Sequence, residues 1–92
     1  MKNLYLIAYD ISNNKKRNKV AELLEQYGER INLSVFECML THKQVDELSE
    51  KLKQMIAKTD SIKIYFICKS CYAKSRSIGQ RDYPGEINIF ID

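Results

Sequence analysis

The chain is 92 residues long, 45% hydrophobic and 29% charged, with three Gly and one Pro, a composition that excludes collagen-like, linker-dominated and intrinsically disordered material. A chain this short buries only about 60–65% of the surface it exposes when unfolded, which leaves room for one core and so for a single domain spanning residues 1–92. The net charge of +3 is too small to identify a nucleic-acid partner, and three cysteines cannot close into a full disulfide set, which agrees with a reducing, cytoplasmic setting.

Leu4 to Tyr9 is an apolar, β-favouring run closed by Asp10, Ser12 and two Asn, the pattern of a buried strand ending in a loop. It is too short to span a bilayer, and Asp10 interrupts it too soon for a signal peptide. Asn13 or Asn14 can cap a helix over residues 15 to 27, in which Val20, Ala21, Leu23, Leu24 and Tyr27 recur at helical spacing and Gly28 supplies the stop. Arg30 to Leu40, rich in β-branched and aromatic residues, reads as one long second strand. Thr41 then caps a second helix, whose apolar stripe is Val45, Leu48, Leu52, Met55 and Ile56. Asp60-Ser61 leads into a third strand, Ile62 to Ile67. Beyond Cys71 the pattern weakens to a short strand around Arg76 to Ile78, a break at Pro84-Gly85 and a β-rich run from Ile87 to Ile91.

The expected order is β-α-β-β-α-β with one or two short strands added at the end, an α+β ferredoxin-like sandwich with both helices on one face of the sheet. The strands are apolar on both sides. Leu4, Leu6 and Ala8 alternate with Tyr5, Ile7 and Tyr9; Ile31, Leu33, Val35 and Met39 alternate with Phe36, Cys38 and Leu40. Two helices cover one face only, so the second needs another cover. A homodimer packed through the open faces supplies it, with the C-terminal strand, residues 86–92, exchanged onto or packed against the partner.

Asp10 falls on the Leu4, Leu6 and Ala8 side, at the carboxyl end of its strand. A carboxylate there can hold a hard divalent cation that keeps several waters, although Asp-x-Ser-Asn is also ordinary turn chemistry. One carboxylate makes a poor metal site; a dimer two-fold brings two together. Lys15, Lys16, Arg17 and Lys19 crowd the first turn of the first helix, where acidic residues would complement the dipole. Phosphates drawn to that helix end give a reason for the exception. A second basic stretch from Ser61 to Arg81 carries Lys63, Lys69, Lys74, Arg76 and Arg81 with no acidic residue. Together they form the footprint of a phosphate-backbone binder without base readout. Cys68-Lys-Ser-Cys71 has zinc-knuckle spacing that Cys38 and His42 complete only on paper. Ser34, His42 and Asp46 lack the elbow and oxyanion loop of a hydrolase triad.

Tyr9-Asp10-Ile11-Ser12, then Lys16-Arg17-Asn18-Lys19-Val20, then Gly28-Glu29-Arg30-Ile31-Asn32-Leu33-Ser34-Val35-Phe36-Glu37 resemble the CRISPR-associated endoribonuclease family, the small subunit of the spacer-acquisition machinery. The resemblance covers nearly the whole chain. One departure is Asn32, where many members carry Gln. The resemblance implies a ferredoxin-like homodimer in which the two Asp10 carboxylates face each other across the two-fold and hold one Mg2+ or Mn2+. It implies Asp10 as metal ligand and catalytic residue with Tyr9 beside it. Lys15, Lys16, Arg17, Lys19 and Arg30 are then the nucleic-acid contacts, and Ser34 and Phe36 belong to the structural motif. The implied activity is metal-dependent cleavage of single-stranded RNA or double-stranded DNA in antiviral defence. The alternative is a non-catalytic, DNA-gripping scaffold that joins the integrase subunit in the acquisition complex.

Overall fold

A computed structural model describes residues 1–79. The expected Pro84-Gly85 break, the Ile87 to Ile91 strand, its exchange with a partner and Arg81 lie outside the described residues. Four strands and three helices follow one another as β1 (Asn3–Asp10), α1 (Asn14–Glu25), β2 (Gly28–Asn32), β3 (Val35–Leu40), α2 (His42–Lys53), β4 (Ser61–Ile67) and α3 (Lys69–Ala73). The sheet order is β2-β3-β1-β4, with every neighbouring pair antiparallel. This is the ferredoxin-like arrangement expected from the sequence. Among the described residues no helix is long and apolar enough to cross a membrane.

The βαββ count arises differently from the sequence reading, because Arg30 to Leu40 is not one strand. It is a hairpin with Leu33 and Ser34 at the turn, Asn32 opposite Val35, and a register shift between Arg30 and Asn32. No Gly, Pro or Asn-Gly pair marks that turn. Its bonds come from elsewhere: the Asn32 side chain accepts from the Leu33 N–H at 2.7 Å, the Tyr9 hydroxyl donates to the Leu33 carbonyl at 3.1 Å, and the Tyr9 N–H donates to the Ser34 carbonyl at 3.0 Å. Two of these three bonds belong to β1, so the turn is a tertiary feature.

Gly28 also serves a different purpose from the helix stop expected of it. It opens β2, opposite Cys38. A Cβ there would lie 2.7 Å from the Cys38 Cα and closer still to the Glu37 carbonyl oxygen, so only glycine lets the edge strand approach β3 this closely.

Both main helices are capped from their own sequence. Asn13 accepts from the Lys16 N–H at 2.9 Å to start α1. Thr41 and Gln44 form a reciprocal box that starts α2, with Thr41 Oγ1 accepting from Gln44 N at 3.1 Å and Gln44 Oε1 accepting from Thr41 N at 2.9 Å. The helices bury Val20, Ala21, Leu24, Leu48 and Leu52 against Tyr5, Ile7, Tyr9, Phe36, Cys38 and Leu40 of the sheet. That is the alternation the sequence supplied, with Tyr5, Ile7 and Tyr9 inward.

The other face, carrying Leu4, Leu6, Ala8, Val35, Met39 and Tyr65, is not covered by α1 or α2. Met39 is 42% and Tyr65 48% exposed, while Leu6, Ala8 and Val35 are half-buried. The short helix α3 was not legible in the sequence. It reaches this face through a hydrogen bond between Tyr72 and Glu37, which stands opposite Leu6. The strand expected over Arg76 to Ile78 does not form. That segment is irregular and runs into Gly79 at φ 116°, a left-handed conformation that breaks an extended run.

Candidate functional site

Asp10 is the last residue of β1 and is exposed. By alternation its side chain stands on the half-covered apolar face with Leu4, Leu6 and Ala8. It lies opposite Ser61, the first residue of β4, while Ser34 bonds the preceding residue from the other side. Lys63 is opposite Ala8 on the same face. The Asp10–Lys63 relation is therefore a cross-strand diagonal, a separation of about 7–8 Å in such sheets.

The loop that follows Asp10 is held from three directions. Ile11 is buried and anchors it in the core. Asp60 accepts from the Ser12 N–H at 3.3 Å with one oxygen and from the Ala57 N–H at 2.9 Å with the other, joining the β1–α1 loop to the α2–β4 loop. Arg17 reaches back from α1 to donate to the Ile11 carbonyl at 2.7 Å, to the Ser12 carbonyl at 3.3 Å and to the Asn14 side-chain oxygen. Sequence reading treated Asp60 as a turn residue only. Its bridging role had no signal there, because the two loops it joins are 48 residues apart.

The candidate residues thus divide by place. Lys15, Lys16 and Lys19 are exposed on the first turns of α1, which has no acidic residue in its first turn. Arg17 is partly buried, and its guanidinium already serves loop carbonyls. Arg30 is exposed on β2 with its guanidinium 5.4 Å from the centre of the Phe36 ring. Phe36 is fully buried and stacks on Tyr9 with ring centres 6.3 Å apart.

Tyr9, expected beside Asp10 as a catalytic residue, has its ring on the opposite face of β1. It is 5% exposed, and its hydroxyl donates to the Leu33 carbonyl. What Tyr9 does for the site is hold the hairpin turn that carries Ser34. The two basic stretches are not gathered on one side either. Lys63 joins the α1 cluster at the Asp10 end, but Lys69 follows β4 at the Leu4 end, because β4 runs antiparallel to β1.

The paper zinc set does not assemble. Cys38 is buried in the core, where desolvation first and the Glu37 charge second push its thiol up to about 12, leaving an unreactive group. Among the described residues no three His, Cys, Asp or Glu side chains stand together as metal ligands. His42 pairs with Asp46 at 3.9 Å on the exposed start of α2, and the length of β3 separates them from Ser34. Asp10 remains as an exposed oxygen donor. Its chemistry suits a hard divalent cation that keeps several waters.

The sequence profile of the family described as CRISPR associated protein Cas2 matches residues 2–75. The chain belongs to the Cas2 family. A CRISPR-associated endoribonuclease Cas2 of Chloroflexus aurantiacus is 43% identical over 82 residues, 87% of this chain and 88% of the relative. A CRISPR-associated endonuclease Cas2 of Thermus thermophilus is 42% identical over 65 residues, 70% and 72% of the two chains. Among solved structures, Streptococcus pyogenes Cas2 at pH 6.5 superposes with a TM-score of 0.74 at 33% identity, covering 83% of this chain and 99% of that one. A chain of a partial Cas6-RT-Cas1–Cas2 complex superposes with a TM-score of 0.76 at 35% identity, covering 85% and 91%. The Cas2 match includes Asp10, the basic start of α1, Arg30, the Leu33–Ser34 turn, Lys63 and all of α3.

Proposed function

We propose that this Cas2 chain is a homodimeric, metal-dependent endonuclease of CRISPR adaptation. In this reading it acts in the cytoplasm on single-stranded RNA or double-stranded DNA and works beside an integrase subunit. One observation carries the reading: Asp10 is an exposed carboxylate at the end of a central strand, on an apolar sheet face that neither α1 nor α2 covers. Packing two such faces together covers the apolar surface and brings two Asp10 carboxylates toward the two-fold. The relatives named endoribonuclease and endonuclease, and the neighbour from a Cas1–Cas2 complex, support the activity and the partner.

The two Asp10 carboxylates would hold Mg2+ or Mn2+, which when bound makes a water acidic enough to attack and offsets charge on the phosphate. Lys15, Lys16 and Lys19 hold the flanking phosphates at the start of α1. Arg30 adds a cation at the hairpin, and Lys63 adds one beside Asp10. Arg17 keeps the loop after Asp10 in place, and Tyr9 with Phe36 fixes the Ser34 turn on the other side. The test is cleavage of single-stranded RNA and of duplex DNA in Mg2+ or Mn2+ by wild type and Asp10→Asn. Activity in the wild type and its loss in the variant are expected; equal cleavage by the two proteins overturns the nuclease reading.

A second reading is favoured by the lack, among the described residues, of any group of three His, Cys, Asp or Glu side chains, and by the Cas1–Cas2 neighbour: a DNA-gripping scaffold without its own chemistry. It expects Asp10→Asn to leave spacer acquisition intact, while Lys15→Glu, Lys16→Glu and Lys19→Glu together abolish DNA binding.

A further inference from the structure

Two of the three free thiols stand apart from the core and from the Asp10 site. Cys68 is the residue that starts α3, and Cys71 lies one turn later and is exposed. The Cys68 sulfur accepts from the Cys71 N–H at 3.2 Å and lies 3.3 Å from the Ser70 hydroxyl. A sulfur that accepts from a backbone N–H and stands beside a hydroxyl is arranged to carry charge, and the second cysteine follows one helical turn later.

We propose that Cys68 and Cys71 form a thiol–disulfide exchange site, with Cys68 as the attacking sulfur, Cys71 as the resolving sulfur and low-molecular-weight disulfides as the reactant. The Cys68 thiolate attacks one sulfur of the small disulfide, forming a mixed disulfide and releasing one small thiolate, which takes a proton. Cys71 then gives its proton to solvent and attacks Cys68, forming the Cys68–Cys71 bond and releasing the second small thiol. The protein loses two electrons and two protons, and the small disulfide gains them.

Geometry and acidity agree on the roles. Hydrogen bonds from Cys71 and then from Ser70 bring the Cys68 thiol down to about 7, near the optimum for attack at neutral pH. The same contact raises Cys71, whose first cause is its bond to Cys68. Cys38 takes no part: it is buried in the core, and its thiol stays protonated. No third ligand stands with the pair among the described residues, so two sulfurs alone make an incomplete zinc site.

The test equilibrates the reduced protein with mixtures of oxidised and reduced glutathione, followed by acid quenching, alkylation and peptide mass analysis. The expected result is an internal disulfide in the peptide that contains both cysteines, with Cys38 still a free thiol. Cys71→Ser should stop at a stable glutathione adduct on Cys68. Cys68→Ser should lose the fast reaction while keeping its helical circular dichroism, because serine can cap α3 in its place. Alkylation of Cys68 should titrate with a midpoint of about 7. The proposal is overturned if both thiols alkylate as free groups in oxidising glutathione. It is also overturned if the two react at equal rates, or if wild type accumulates the glutathione adduct instead of the internal bond.

Discussion

Arg17 shows how a side chain counted as a surface cation can have its main bonds inside the protein. Its guanidinium donates to two loop carbonyls and to Asn14, and those carbonyls belong to the segment that follows Asp10. Arg17→Ala removes the side-chain donor that both carbonyls share, and a lost hydrogen bond to a charged group costs about 1.5–3 kcal/mol. Urea unfolding should show a loss near the lower end of that range, because the site is partly open to water. Arg17→Lys should recover only part of it, since one ammonium cannot reproduce a planar fork. Tyr9 makes the same point from the core side: a ring that the family resemblance set beside a carboxylate is 5% exposed on the other face of the strand. Strand alternation alone separates neighbours in this way.

At the scale of elements, β2, β3 and α3 meet at Glu37. Desolvation raises the Glu37 pKa, the hydrogen bond with Tyr72 lowers it, and the charge of Glu29 on β2 raises it, with the net direction upward. A carboxyl whose folded-state pKa lies above its unfolded value favours folding when protonated. That contribution is full below the ordinary Glu value and is lost as pH rises through the raised one. Glu37→Gln removes the titration. Wild type and variant should therefore have matching pH trends in thermal stability below about pH 4. Above that, wild type should fall progressively behind the variant until Glu37 is fully ionised. A difference that stays constant across this range would show that Glu37 does not titrate with folding. The start of α1, by contrast, presents Lys15, Lys16 and Lys19 exposed, with no acidic residue in the first turn. The salt dependence of nucleic-acid binding should flatten as each is removed.

For the whole molecule, the decisive feature is a sheet with one face buried under two helices and the other carrying half-buried Leu6, Ala8 and Val35 beside exposed Met39 and Tyr65. Placing a charge in the middle of that face should oppose association without touching the helix-side core. Leu6→Asp is expected to shift sedimentation from dimer to monomer while circular dichroism stays that of a folded chain, and nuclease activity should fall with the dimer. A fully dimeric Leu6→Asp protein would place the interface elsewhere.

The alternation of β1, both main helices, the Thr41 and Asn13 caps and the position of Asp10 were all legible in the sequence, because each depends on residues within a few positions of one another; the alternation read through Ile31 and Leu33 was not, because that segment turns back on itself. The Leu33–Ser34 turn, the close approach at Gly28, the Asp60 bridge between loops and the placement of α3 through Tyr72 and Glu37 were not. Each rests on a bond or contact between segments far apart in the chain, and no local pattern specifies a partner that only folding brings near. The sequence by itself determined which face of β1 carries Asp10. Only the tertiary structure decided what surrounds it: a hairpin held by Tyr9, a loop clamped by Arg17 and Asp60, and an apolar face that α1 and α2 leave uncovered beside it.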